Sequence, residues 1–267
     1  MTLIVAWVGV DNKKSGKSIA SLYFASDSRY SWGSGDSYNY GIKVFGSSKY
    51  PEIFCFCGDV LFPSIVFAQL MPQIDSGLLL NEGDTAELKN RKIFDYIKTS
   101  FAHYPKSSLA GIFIILHGTR VGNEFKLYKI SSNKKWELTE ESIDLPTEST
   151  KVFSGGSGKV EFDGNWSHWD NVRHNNYRTS RAVYHCLEDT LKKIKDPSTG
   201  GMPQIVGLYR IGSSRLFGII HESKRFIYGK QVAEDATVQN LEWRNENFER
   251  VNPETLKIFE GAQRQPS

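Results

Sequence analysis

The chain has 267 residues, 39% of them hydrophobic and 24% charged, with a formal net charge of +3. That length suits one large core with appendages, and no apolar run approaches the roughly 20 residues that cross a bilayer, so a membrane segment is not expected. The basic residues are spread along the chain rather than gathered on one stretch, which gives nucleic-acid binding no support.

From the N-terminus, Leu3–Val10 and Ser18–Ser26 are rich in β-branched, aromatic and small apolar residues, and the polar Asp11–Lys17 between them reads as a hairpin loop. The first run is short, follows no basic region and precedes no small-residue cleavage site, so it is not a signal peptide and a cytoplasmic location is expected. A Gly/Ser/Tyr-rich segment, Tyr30 to Gly41, leads to short strands predicted at Lys43–Gly46 and Glu52–Cys57. Cys55, Cys57 and Cys186 are an odd set in apolar surroundings and read as buried thiols rather than disulfides.

Val60–Met71 is apolar nearly all round, which predicts a helix packed on both sides, with Asp59 as its capping signal and Pro63 confined to the first turn. Leu88, Ile93, Ile97 and Phe101 recur at helical spacing and predict a second helix over Thr85–His103. Strands follow at Ala110–His117 and Glu124–Ile130. A third helix is predicted over Tyr177–Ile194, with Ala182, Val183, Cys186, Leu187 and Leu191 on its apolar side, and then strands at Gln204–Ile211, Arg215–His221 and Phe226–Tyr228. Strands, two helices, strands, a helix and strands argue for a layered α+β domain over 1–231, not for alternating βαβ units. From Val232 to Ser267 the chain is more polar, with Trp243 and Phe248 as apolar anchors, and reads as a C-terminal extension that docks on the body or on a neighbouring subunit.

Two Gly-Lys pairs, in Ser15–Ser18 and Gly155–Lys159, invite a phosphate-loop reading, but Asp11 and Phe153 stand where that motif needs its first glycine. The six histidines show no metal-ligand spacing, with His168 and His174 in a segment read as loop, and no cofactor or metal is expected.

Thr2 offers different chemistry. Its small side chain favours removal of Met1, which would leave a hydroxyl beside a free α-amine, a nucleophile with its own base. Three local patterns accompany it: Ala25-Ser-Asp27-Ser-Arg29, Gly41-Ile-Lys43-Val-Phe45, and Asp196-Pro-Ser-Thr199-Gly-Gly201, together with the turn Ser154-Gly-Gly-Ser157-Gly158. In this order and spacing the chain, over about residues 2 to 230, resembles the proteasome-type N-terminal-nucleophile hydrolases, including proteasome beta subunits and the simpler bacterial ring proteases.

The resemblance implies a four-layer αββα sandwich and a threonine-type peptidase working in a homo-oligomeric ring on peptides or unfolded proteins, with an ATP-dependent unfoldase as an optional partner. It implies Thr2 as nucleophile, Lys43 against its hydroxyl, Asp27 paired with Lys43, Ser157, Asp196 and Thr199 around the amine, and Gly58 as oxyanion donor. Tyr30, Phe45, Phe56 and Val60 fall near positions that shape the substrate pocket. The alternatives are a non-peptidase amidohydrolase with the same nucleophile and an inactive structural ring subunit.

Overall fold

The computed structural model describes residues 2–13, 16–33, 35–236 and 241–262. Met1, whose removal the sequence suggests, lies outside the described residues, as do Ser15 of the first Gly-Lys loop and residues 237–240 and 263–267 of the extension.

In chain order the strands are β1 (Leu3–Lys13), β2 (Gly16–Ser26), β3 (Tyr30–Ser31), β4 (Ser37–Tyr38), β5 (Val44–Gly46) and β6 (Glu52–Gly58), followed by helices α1 (Leu61–Asp75) and α2 (Ala86–His103). Then come β7 (Phe113–Val121), β8 (Glu124–Ser132), β9 (Leu138–Ile143) and β10 (Thr150–Gly156), helices α3 (Lys159–Trp169) and α4 (Ser180–Lys193), and β11 (Gln204–Tyr209), β12 (Arg215–His221), β13 (Lys224–Ile227), β14 (Lys230–Gln231) and β15 (Glu242–Arg244). One sheet runs β10-β1-β2-β11-β12-β13-β14, with β15 also on β12, and a second runs β5-β6-β7-β8-β9. Their pairings are antiparallel except β12 with β15.

Strand alternation distributes the core. Leu3, Val5 and Trp7 of β1 pack with Val183, Tyr184 and Leu187 of α4, whereas Ile4, Ala6 and Val8 face the second sheet. In β6, Phe54 and Phe56 pack against α1 and α2, whereas Ile53, Cys55 and Cys57 face the first sheet. The inter-sheet cluster therefore lies between two further clusters, each closed by helices. Residues 3–8 are fully buried because β1 is an interior strand covered on both faces.

The long apolar elements fall where the sequence places them, and the differences have local causes. Helix α1 extends to Asp75 and is covered on one side only: Phe62, Val66, Phe67, Leu70 and Ile74 are buried, while Leu61 and Ile65 are exposed. Asp59 does cap it, accepting the Leu61 and Phe62 amides at 3.1 and 3.0 Å. Strands β9 and β10 and helix α3 were not expected. β9 is polar on its exposed face, β10 ends in two glycines, and α3 carries Gly164 with Phe162 as its buried residue. His168 consequently lies in a helix rather than a loop. No helix among the described residues is long and apolar enough to cross a membrane.

The C-terminal segment completes the core of the body. β15 lays Trp243 over Gly218, where any Cβ would collide with the indole. Farther on, Phe248 sits among Trp7, Tyr23 and Tyr184, with ring centroids 6.1, 5.7 and 4.9 Å away. Phe248→Ala is expected to cost about 3–5 kcal/mol in urea denaturation, the range for deleting a buried phenylalanine. A loss below about 1 kcal/mol would show that the segment is an appendage to a core already closed.

Candidate active site

Where β2 ends, Asp27 turns into the protein and is fully buried. Its Oδ1 accepts from the Leu3 amide and from Lys43 Nζ, both at 2.9 Å. Its Oδ2 accepts from the Arg29 amide at 3.1 Å and the Gly200 amide at 2.9 Å. Lys43, also fully buried, approaches from the segment just before β5 and lies 5.7 Å from the centre of the Tyr30 ring. Burial pushes its ammonium below the ordinary lysine value, and the Asp27 charge and hydrogen bond oppose that fall.

Gln204, the first residue of β11, holds the two halves of this pair in place. Its Nε2 donates to the carbonyls of Asp27 and Gly41 at 3.0 and 2.8 Å, and its Oε1 accepts the Lys43 amide at 3.0 Å. Arg29 ties in the loop before β11, donating to Asn39 and to the carbonyls of Pro197 and Thr199. A side chain at Gly200 would strike that guanidinium. Sequence reasoning did not single out Gln204, because its partners are backbone atoms 161 to 177 residues away and no spacing encodes them.

On the other side of β1, the Thr2 nitrogen donates to Ser157 Oγ at 3.2 Å. Ser157 Oγ is 3.2 Å from Thr199 Oγ1, and Thr199 Oγ1 donates to Asp196 Oδ2 at 2.9 Å. Burial works to raise the Asp196 carboxyl, but hydrogen bonds from Ser157, the Ser198 amide and Thr199 prevail and hold it below the ordinary value. Gly156, at φ 93°, admits the Thr2 carbonyl where a Cβ would collide with it, and the Gly158 amide donates to that carbonyl at 3.3 Å. Thr2 itself is buried.

Gly58 ends β6 at φ 94°, and a Cβ there would overlap the Ile112 carbonyl. It shares with Ser157 the wall of a cleft of about 380 Å³, which Val60 also lines. Of the other residues placed near the pocket by sequence, Tyr30 and Phe45 are half-buried and held by neighbouring elements. Tyr30 donates to the Ile42 carbonyl and meets Ser64 Oγ, and Phe45 stacks on Phe67 at 4.7 Å. Phe56 is fully buried and has no surface to present to a substrate. A larger cleft of about 640 Å³ lies at the far end of β1, lined by residues such as Arg178 and Arg210 that pair with Glu148 and Asp11, and it does not adjoin Thr2.

No protein-family model matches the chain, and no curated protein matches it. Among solved structures it is similar to Anbu (ancestral beta-subunit) from Yersinia bercovieri, with a TM-score of 0.51 and 15% identity over 78% of this chain and 81% of that one. A Gly-1 mutant of Anbu from Hyphomicrobium sp. strain MC1 has a TM-score of 0.49 and 14% identity, over 88% of each chain. The first likeness fits a proteasome-like fold, and at such identity it bears on fold alone.

The buried pair is unequal in what each partner leaves behind. Lys43→Met leaves Asp27 with three backbone amides, whereas Asp27→Ala strands a buried ammonium and is expected to cost about 3–5 kcal/mol, the larger loss in urea denaturation. Equal losses would contradict this account. Gln204→Leu orphans three buried backbone groups at about 1–3 kcal/mol each before relaxation. Because the folded Asp196 carboxyl is held below its reference value of 3.8, its stabilisation is complete above that pH and is lost as pH falls below it. The stability gap between Asp196→Asn and the parent should therefore narrow on acidification.

Proposed function

We propose that this chain is an N-terminal threonine hydrolase that cleaves peptide bonds, with Thr2 as nucleophile once Met1 is removed. The observation that carries the reading is the fully buried Asp27–Lys43 pair hydrogen-bonded to the amide of Leu3, directly beside a threonine whose nitrogen meets Ser157. Burying an ion pair is costly, and this one is fixed by contacts from four separate segments around one residue. The three stacked core clusters support reading the proteasome-like fold as an αββα sandwich.

In the proposed reaction the free amine of Thr2, with an ordinary pKa of about 7.7–8.0, accepts the proton of its own hydroxyl as the oxygen attacks a peptide carbonyl. Lys43 lowers the energy of the alkoxide-like oxygen, and Asp27 keeps Lys43 oriented. Ser157, Thr199 and Asp196 hold the amine so that its lone pair faces the hydroxyl. The Gly58 amide serves the developing oxyanion, a role in which one donor is worth about 10²–10³ in rate. Collapse of the tetrahedral adduct passes the proton to the leaving amine and leaves an ester on Thr2, which water hydrolyses with the same amine as base. The exposed Leu61 and Ile65 of α1 support assembly into a ring, with its chamber admitting peptides or unfolded chains, delivered by an unfoldase where one is present.

Two measurements test this reading. Intact mass of active preparations should lack Met1; a spectrum with the full-length mass alone sinks the mechanism. A peptide epoxyketone needs a hydroxyl and an adjacent free amine to close its ring, so labelling should fall on the N-terminal peptide. It should vanish in Thr2→Ala and slow by about 10²–10⁴ in Lys43→Ala. Equal labelling of Thr2→Ala would overturn the assignment.

A further inference from the structure

The cleft beside Gly58 opens between the end of β6, the start of β7 and the end of β10. Cys57 and Ile114 belong to the inter-sheet core and line its inner part, and Val60 and Ile112 line it nearer the surface, with Ile112 half exposed. Burial pushes the Cys57 thiol up to about 12, against the favourable charge of Lys43, so it stays a neutral, apolar surface. The carboxylate of Asp59 on the cleft is already engaged: Oδ1 accepts the Leu61 and Phe62 amides, and Oδ2 accepts the Ala110 amide at 2.7 Å. The Asp59 amide in turn donates to the Ile112 carbonyl at 3.0 Å. This cross-linking fixes the walls before any ligand arrives. Among the described residues, no lysine, arginine or histidine lines the cleft.

We infer that this cleft is the specificity subsite of the proposed hydrolase, taking one neutral aliphatic or aromatic side chain of the substrate and excluding charged ones; the inference rests on the threonine chemistry proposed above. Three observations bear on the choice. Gly58 and Ser157, assigned above to the oxyanion and the amine, both form its wall, so a side chain seated there lies beside the residues proposed for the chemistry. Its volume of about 380 Å³ lies in the range of roughly 300–1,000 Å³ typical of pre-formed ligand pockets. On the Lys43 side, Tyr30 and Phe45, both half-buried, are engaged by α1 through Ser64 and Phe67, and Phe56 stacks behind Phe45.

The test uses blocked peptides Ala-Ala-X-Ala-Ala, with X as Leu, Ala, Lys or Glu, on full-length protein. Cleavage should favour Leu over Lys and Glu by about tenfold or more, the scale set by apolar pocket contacts. Ile112→Glu, at a half-exposed position that tolerates substitution, should reverse the order of Leu and Lys. Ile114→Phe should lower kcat/KM for Leu and spare Ala, with thermal denaturation verifying that it folds. Calorimetric binding of the same peptides to Thr2→Ala protein, and to that protein carrying Ile112→Glu, should show the same orders without any chemistry. Preferences unmoved by both variants overturn the subsite. Binding orders that shift in the absence of any hydrolysis by the parent would remove the threonine chemistry and leave the cleft as a peptide side-chain site.

Discussion

A carboxylate with no exposure to water must find its hydrogen-bond donors inside the protein, and Asp27 finds four of them on segments that begin at residues 3, 29, 43 and 200. Each donor is a constraint on the path of the chain. The Leu3 amide fixes the start of β1, the Arg29 amide the turn out of β2, and the Gly200 amide the entry to β11. The lysine fixes the approach to β5. Low local dielectric makes any missing donor costly, so these four segments are positioned together or not at all. The geometry of the candidate site and the closure of the first sheet are thus consequences of one buried charge.

Gln204 extends the same logic with a neutral side chain. Its amide spans from the Asp27 carbonyl to the Lys43 nitrogen, so the backbone bearing the anion and the backbone bearing the cation share one rigid bridge. Arg29 does the equivalent work on the solvent side, gripping the Pro197 and Thr199 carbonyls. Consequently the hydroxyl of Thr199, which meets Ser157 on the amine side, is registered against Lys43 through backbone rather than through direct contact.

What the sequence revealed of this arrangement follows from the range of each signal. Apolar periodicity is local, so β1, β2, β6 and all helices with a strong stripe were legible within a few residues, whereas the Thr85 cap of α2, accepting the Leu88 amide, emerged only from the structure. α3 was hidden because its Gly164 and its aromatic residues at Phe162, Trp166 and Trp169 do not separate a polar from an apolar face. Among the candidate site residues, Thr2, Asp27, Lys43, Ser157, Asp196 and Thr199 were singled out through short motifs, and the structure brings them to the two sides of β1. The cleft beside Gly58 was less legible. Phe56 and Cys57 are neighbours in β6, yet one faces the helices and the other the cleft, and a shift of one residue in reading the strand exchanges their roles.

The docking of Trp243 and Phe248 also dictates when the N-terminal strand can be held in place. A ribosome releases β1 first, but the aromatic cluster over Trp7 and Tyr23 remains open until residue 248 has emerged, and the donor at Gly200 arrives late as well. Contacts of such long sequence separation form slowly and near the end of folding. The N-terminal strand β1 is therefore locked in place only after the much later segments around Gly200 and Phe248 have been made and have docked on it.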